Sequence, residues 1–268
     1  MFNYLFITNV LEIAEYVEKC GVTRIFLDLE INGKEERQGH LDTVISRHQM
    51  TDIKGIKQVL KKAELMVRLN PLYEGSQQEI DDAIELGADI IMQPMFHCVA
   101  EVEKFGAMIN GGAKFIPLVE TVNGANDIHL IDELKCVDEL HIGLNDLHLE
   151  LGLNFMFEII SNGMIDKMLY GLNKPYGIGG IARVGEGTIP GEVVMAEHVR
   201  LGSTAVILSR AFHLGAITVN ELKQHFDFNE ELLKLDNKRK DLLQSDSIQL
   251  EEIHNNFVMS VESIVSKK

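Results

Sequence analysis

The chain has 268 residues, 46 % of them hydrophobic and 25 % charged, an ordinary make-up for a globular protein. That length accommodates one large α/β barrel or two small domains. The 25 basic residues against 41 acidic ones give a net charge of −16, which speaks against sequence-independent nucleic-acid binding, whose footprint is clustered Lys and Arg.

The first residues lack a basic n-region and carry Glu12, Glu15 and Glu18, so no signal peptide is expected. No apolar run approaches the ~20 residues of a bilayer span. Cys20, Cys98 and Cys136 are scattered without a CxxC spacing. They are expected to be reduced thiols of a cytoplasmic protein that binds neither membrane nor nucleic acid.

In chain order, eight apolar strand candidates appear: Tyr4–Thr8, Arg24–Glu30, Glu64–Asn70, Asp89–Met95, Lys114–Glu120, Glu139–Asp146, Tyr176–Ala182 and Thr204–Arg210. Amphipathic helical stretches separate them, among them Val10–Lys19, Ile53–Lys62, Gln77–Leu86, Val99–Met108 and Gly191–Leu201. Gly21, Gly87 and Gly202 stand where helices terminate. Alternating βα units imply a parallel sheet with right-handed crossovers, and eight of them imply a (β/α)8 TIM barrel over residues 1–215. An open doubly wound sheet is the alternative.

Three segments interrupt the repeat. Ile31–Met50 is a polar connection carrying Lys34, Arg37, His40, Arg47 and His48, and Leu147–Lys174 is a largely helical excursion. Residues 216–268 form a charged helical extension whose Leu250, Ile253, Phe257, Val258, Val261 and Ile264 fall at helical spacing. That stripe is expected to pack on the barrel or on a neighbouring subunit.

The chemistry is read from the C-terminal strand ends, which converge on one face of a barrel. Strands two to six end on Asp28 and Glu30, Arg68, Gln93, Glu120 and Asp146. A carboxylate ending a buried strand costs desolvation unless it is paired or holds a metal. Glu120 and Asp146, on adjacent strands, suit a hard divalent cation such as Mg²⁺ or Mn²⁺. Arg68 suits an anion or a developing oxyanion. The turn Gly143-Leu144-Asn145-Asp146 offers backbone N–H groups to a substrate carboxylate, and Gln93 joins the substrate-binding candidates. Beyond strand seven, Gly177, Gly179, Gly180, Gly185 and Gly187 with Arg183 and Arg210 mark either close packing or a phosphate site.

The segments LMVRLNPL, ELGADIIMQPM, FIPLVETVNG and HIGLNDLHLELGL resemble successive strand motifs of the HpcH/HpaI aldolase and citrate lyase beta-subunit family. IFLDLE resembles that family's second-strand motif, and the likeness runs over Arg24–Leu153. It implies a homo-oligomeric, metal-dependent lyase that makes or breaks carbon–carbon bonds of a 2-oxo acid, such as a 4-hydroxy-2-oxo acid, through a metal-bound enolate. By the same resemblance Glu120 and Asp146 would be the metal ligands and Arg68 would meet the substrate carbonyl. The Asn145 and Asp146 amides would hold its carboxylate, Glu30 would support metal-bound water, and Asp28 would orient the base.

The chain departs from the pattern at Ile31, where the aldolase branch has a histidine and the citrate lyase branch an aspartate. His40 or His48 stands as a replacement base, with His97 and His148 as further candidates. The alternatives are a citrate-lyase-like acyl-CoA lyase and a barrel that has lost its base and only binds a metabolite.

Overall fold

The structure, a computed structural model, describes residues 2–31 and 48–267. Eight parallel strands close in chain order: β1 Asn3–Ile7, β2 Arg24–Asp28, β3 Glu64–Arg68, β4 Ile90–Gln93, β5 Lys114–Val119, β6 Leu140–Ile142, β7 Tyr176–Ile181 and β8 Ala205–Leu208. β8 pairs with β1, so no sheet edge remains and the open doubly wound alternative falls away.

Side chains alternate across each strand. Leu5, Phe26, Met66, Ile90, Met92, Ile116 and Leu118 fill the barrel interior. Their neighbours Ile25, Leu27, Leu65, Val67, Ile91, Phe115 and Val119 face the helices in the larger outer core. Burial on both faces is why the strands read as unbroken apolar runs.

The register of β2 on β3 pairs charge at both ends, Arg24 with Glu64 and Asp28 with Arg68. At the N-terminal end, buried Arg24 reaches Glu64 at 3.1 Å and Glu139 at 2.6 Å. These strand-start ion pairs serve stability, whereas the C-terminal ends carry the candidate site.

The expected helices are present within a residue or a few at each end, for example Asp52–Val59, Ser76–Glu85, Val99–Ile109 and Gly191–Arg200. Strand six differs. It stops at Ile142, and Leu144–Glu150 is helix, so Asp146 sits in a helical first turn rather than on the strand.

After Gly215 come three helices, Val219–His225, Phe228–Leu242 and Ser247–Val265. Phe228 is fully buried, edge-on to Phe6 of β1 with ring centroids 5.4 Å apart. Asp246 and Gln249 cap the last helix reciprocally, and His254 Nδ1 lies 3.0 Å from buried Glu197 of the helix Gly191–Arg200. Phe257 and Val261 are buried, and Leu250, Ile253, Val258 and Ile264 are half-buried against the core. The apolar stripe of the tail thus lies on its own barrel. No described helix is long and apolar enough to cross a membrane.

Candidate active site at the barrel mouth

Asp28, Arg68 and Glu120 continue the inward-facing rows of Phe26, Met66 and Leu118, so strand alternation brings them to one mouth. Arg68 Nε donates to Asp28 Oδ1 at 2.9 Å, and its Nη2 lies 3.5 Å from Glu30 Oε2. The guanidinium stands 5.7 Å above the Phe26 ring. Asp28, Glu30 and Glu120 are each under 5 % exposed. Burial opposes the charge on Arg68, but Asp28 and Glu30, followed by Glu120, outweigh it and hold the guanidinium protonated.

Glu120 Oε1 accepts the Met95 N–H at 3.1 Å. Met95 adopts φ +48°, a left-handed conformation costly for a residue with a side chain. On the other side of the carboxylate lies Gly143. A Cβ there would fall 2.8 Å from Glu120 Cβ and 3.0 Å from its Oε2. Burial, with the like charges of Asp146 and Glu30, pushes Glu120 up to about 8 against the pull of Arg68 and the Met95 N–H.

Asn145 and Asp146 open the helix Leu144–Glu150, half-buried, with Gly143 giving no side-chain cap. First-turn amides have no acceptor within their own helix. The corner after β2 is fixed from outside. Ile31 N–H donates to Asn70 Oδ1 at 2.9 Å, and Asn70 Nδ2 donates to Glu79 Oε1 at 2.6 Å. His48, half-buried, accepts the Asp28 N–H on Nδ1 at 3.1 Å.

The structure therefore brings together Asp28, Glu30, Arg68, Glu120 and Asp146, with His48 against Asp28. Gln93 does not join them. Ile90 and Met92 face the interior, so Gln93 falls with Ile91 on the outward face, where its amide is fully buried with no hydrogen-bond partner among the described residues. His40 lies outside the described residues. His97 is exposed, and its backbone N–H bonds Glu101. His148 Nδ1 lies 3.2 Å from Leu144 O within its own helix.

Of the glycines around strand seven, Gly177 and Gly179 are closely packed, a Cβ falling 2.4 Å from His141 Nδ1 and 2.8 Å from Leu144 Cδ1, whereas a Cβ at Gly185 would meet nothing within 4 Å. A side chain at Gly191 would collide with the carbonyls of Ala182 and Arg183. Arg183 donates to Ala211 O at 2.9 Å and stacks 4.3 Å over Phe226, which leaves it little freedom to meet an anion.

Met95 and Gly143 as positioners of Glu120, and the Glu79–Asn70 clamp, escaped sequence reasoning. Gly143 was visible only as part of a turn, and nothing in the residue order signals a left-handed methionine.

Among the described residues, no group of three His, Cys, Asp or Glu side chains could hold a metal ion. Asp146 lies near enough to act on Glu120 by its like charge, so the two carboxylates could serve as an oxygen donor pair, and the mouth carries four acids against the guanidinium of Arg68. All-oxygen donors with excess negative charge fit a hard divalent cation that keeps water or substrate oxygens as its other ligands.

Fold and site together define a closed (β/α)8 barrel with an acidic, arginine-bearing mouth. No family model matches the sequence, and no curated protein matches it. Solved structures share the fold. An HpcH/HpaI aldolase/citrate lyase family protein from Burkholderia cenocepacia J2315 superposes with TM-score 0.63 at 14 % identity, over 84 % of this chain and 94 % of that one. An HpcH/HpaI aldolase from Desulfitobacterium hafniense DCB-2 gives 0.60 at 12 % identity, over 92 % and 94 %. RipC from Yersinia pestis gives 0.57 at 13 %, over 93 % and 98 %. The fold expected from the sequence motifs is thus the fold of proteins so named, and at these identities the likeness is one of fold.

Proposed function

We propose that this barrel is a divalent-metal-dependent carbon–carbon lyase that cleaves or forms a 2-oxo acid by way of an enolate. The observation that carries the reading is the placement of Arg68, fixed by Asp28 and Glu30 at the mouth that also holds Glu120 and Asp146. A guanidinium held in that way is preorganised for negative charge developing on a substrate oxygen, with no reorganisation during the reaction.

Glu120 and Asp146 would hold Mg²⁺ or Mn²⁺, which when bound supplies Lewis-acid stabilisation of charge on the substrate. Met95 and Gly143 keep the Glu120 carboxylate in place. The amides of Asn145 and Asp146, at the open end of their helix, would bind the substrate carboxylate. Asp28 and Glu30 orient Arg68 and maintain its charge.

Oxalate titration with Mg²⁺, followed by lyase assays on a panel of 4-hydroxy-2-oxo acids and acyl-CoA thioesters, tests the reading. Turnover of a 2-oxo acid supports it, and turnover of thioesters alone selects the citrate-lyase-like chemistry. Oxalate binding without turnover would favour a metabolite-binding barrel. The specific observation behind that last reading is Ile31, an exposed apolar side chain where the aldolase motif has its histidine.

A further inference from the structure

The register pairs Asp28 with Arg68, and one step on, the Leu29 N–H bonds Arg68 O at 2.9 Å. In a parallel ladder the next amide aimed at β3 is that of Ile31, and the next acceptor is the carbonyl of Asn70. Asn70 has turned out of the ladder: its own N–H goes to Glu79 Oε2, at 3.4 Å, on the helix Ser76–Glu85. Its side-chain oxygen Oδ1 takes the acceptor's place and receives the Ile31 N–H at 2.9 Å. The Asn70 amide thus stands in for a rung of the sheet. Because Ile31 presents a donor, the Asn70 NH2 faces the other way, where Glu79 Oε1 accepts it at 2.6 Å. Asn70 is buried and Glu79 half-buried, while the Ile31 side chain is exposed and adds little packing at this corner.

Glu30 lies between the two amides held in this way, Leu29 and Ile31. It follows Phe26 and Asp28 in the inward row, buried, and its Oε2 meets Arg68 Nη2 at 3.5 Å. Asp28 meets the same guanidinium at Nε, at 2.9 Å. A planar fork held at one nitrogen can swing about that bond, and a second contact at Nη2 fixes its plane. We propose that Asn70 and Glu79 are positioning residues for the reaction: they seat Glu30, and through it set the angle at which Arg68 presents its N–H groups. The consequence for turnover rests on the lyase reading of the mouth, whereas the seating of Arg68 does not.

Three measurements test this. The first is a crystal structure of Asn70→Ala without metal or substrate. The Glu30–Arg68 contact is expected to open by about 0.5 Å or more, the tolerance of a productive site; Glu30 and Arg68 left in place overturn the proposal. The second is cleavage of 4-hydroxy-2-oxopentanoate with Mg²⁺, read as pyruvate released. Asn70→Ala and Glu79→Ala are expected to lose on the order of tenfold in kcat while Mn²⁺ affinity stays within about twofold. Glu79→Gln keeps an acceptor for the Asn70 NH2 and is expected to stay within about threefold of the unmutated protein. Equal losses in Glu79→Gln and Glu79→Ala, or a loss of Mn²⁺ affinity as large as the loss in kcat, would overturn the positioning role. The third is a double-mutant cycle. If Asn70 acts through Arg68, the double variant Arg68→Ala with Asn70→Ala turns over no more slowly than Arg68→Ala alone; a further loss on the order of tenfold would mark a purely structural role and overturn the proposal. If Asn70→Ala does not fold, Glu79→Ala, at a half-buried helix position, replaces it in both the crystal and the cycle. Absence of turnover by the unmutated protein on every 2-oxo acid would refute the lyase reading and the consequence for turnover, while the crystal comparison would still decide the seating of Arg68.

Discussion

Substituting Gly143 by alanine tests how tightly the mouth is built. Gly143 has φ −86° and ψ 86°, so its backbone accepts an L side chain without the penalty of the left-handed region. The obstacle is contact. The added methyl would lie 2.8 Å from Glu120 Cβ, 3.0 Å from Glu120 Oε2 and 3.2 Å from Leu118 Cδ1. Relaxing 2.8 Å to an ordinary ~3.4 Å contact moves the Glu120 stem by about 0.6 Å.

Part of the strain falls on the Met95–Glu120 hydrogen bond, 3.1 Å long, and part on the adjoining core. Productive sites tolerate about 0.5 Å of displacement, and 1 Å costs roughly 10² in rate. Gly143→Ala should therefore lose about 10–10² in kcat on the 2-oxo acid that the unmutated protein cleaves and weaken Mn²⁺ binding by calorimetry. Overpacking of this kind also costs about 1–3 kcal/mol of stability, read from urea unfolding. Unchanged Mn²⁺ affinity and turnover within twofold of the unmutated protein would refute the claim that Gly143 exists to seat Glu120.

Arg68→Ala should retain Mn²⁺ binding but lose on the order of 10²–10³ in turnover, the scale for one oxyanion donor; a loss under fivefold in kcat/KM would remove Arg68 from the chemistry. His141, on β6 inside the barrel, is pushed down to about 4, chiefly by burial, and His198 to about 3. Both bind protons more weakly folded than unfolded, so the stability tied to keeping them neutral is present above about pH 6.5 and lost as pH falls toward 4. Urea unfolding at pH 7 and pH 5 should show lower stability at pH 5, and a flat or opposite trend would contradict their burial as neutral rings. The protein should be a homo-oligomer by light scattering, with a monomer at working concentrations as the refuting result.

The fold was legible because parallel strands buried on both faces must be apolar throughout, and the glycines that end helices at Gly21 and Gly87 do so with positive φ. That same two-sided burial hides which residues face the interior. Gln93 looks like a strand-end polar group until alternation with Met92 turns it outward. The apolar run continues through Leu144 and so reads as strand as far as Asp146, yet the chain leaves the sheet at Gly143 beside the Glu120 side chain. Asp28 and Arg68 read as neighbouring strand ends, but their ion pair emerges only from the register of β2 on β3. The His48 contact was not legible, because a long loop returns it to β2 and residue spacing carries no record of such a return. Nor could sequence show that the Met95 amide would serve Glu120, since that depends on one φ angle.

The central claim is that Glu120 and Asp146 hold one divalent cation at a mouth where Arg68 meets the substrate. A crystal structure with Mn²⁺ and oxalate tests it most directly, with anomalous scattering to locate the metal and Glu120→Gln crystals soaked in parallel. Mn²⁺ on both carboxylates with oxalate reaching Arg68, and a vacant site in the Glu120→Gln crystals, is the predicted result. Mn²⁺ bound elsewhere, or bound equally well in Glu120→Gln, would contradict the account.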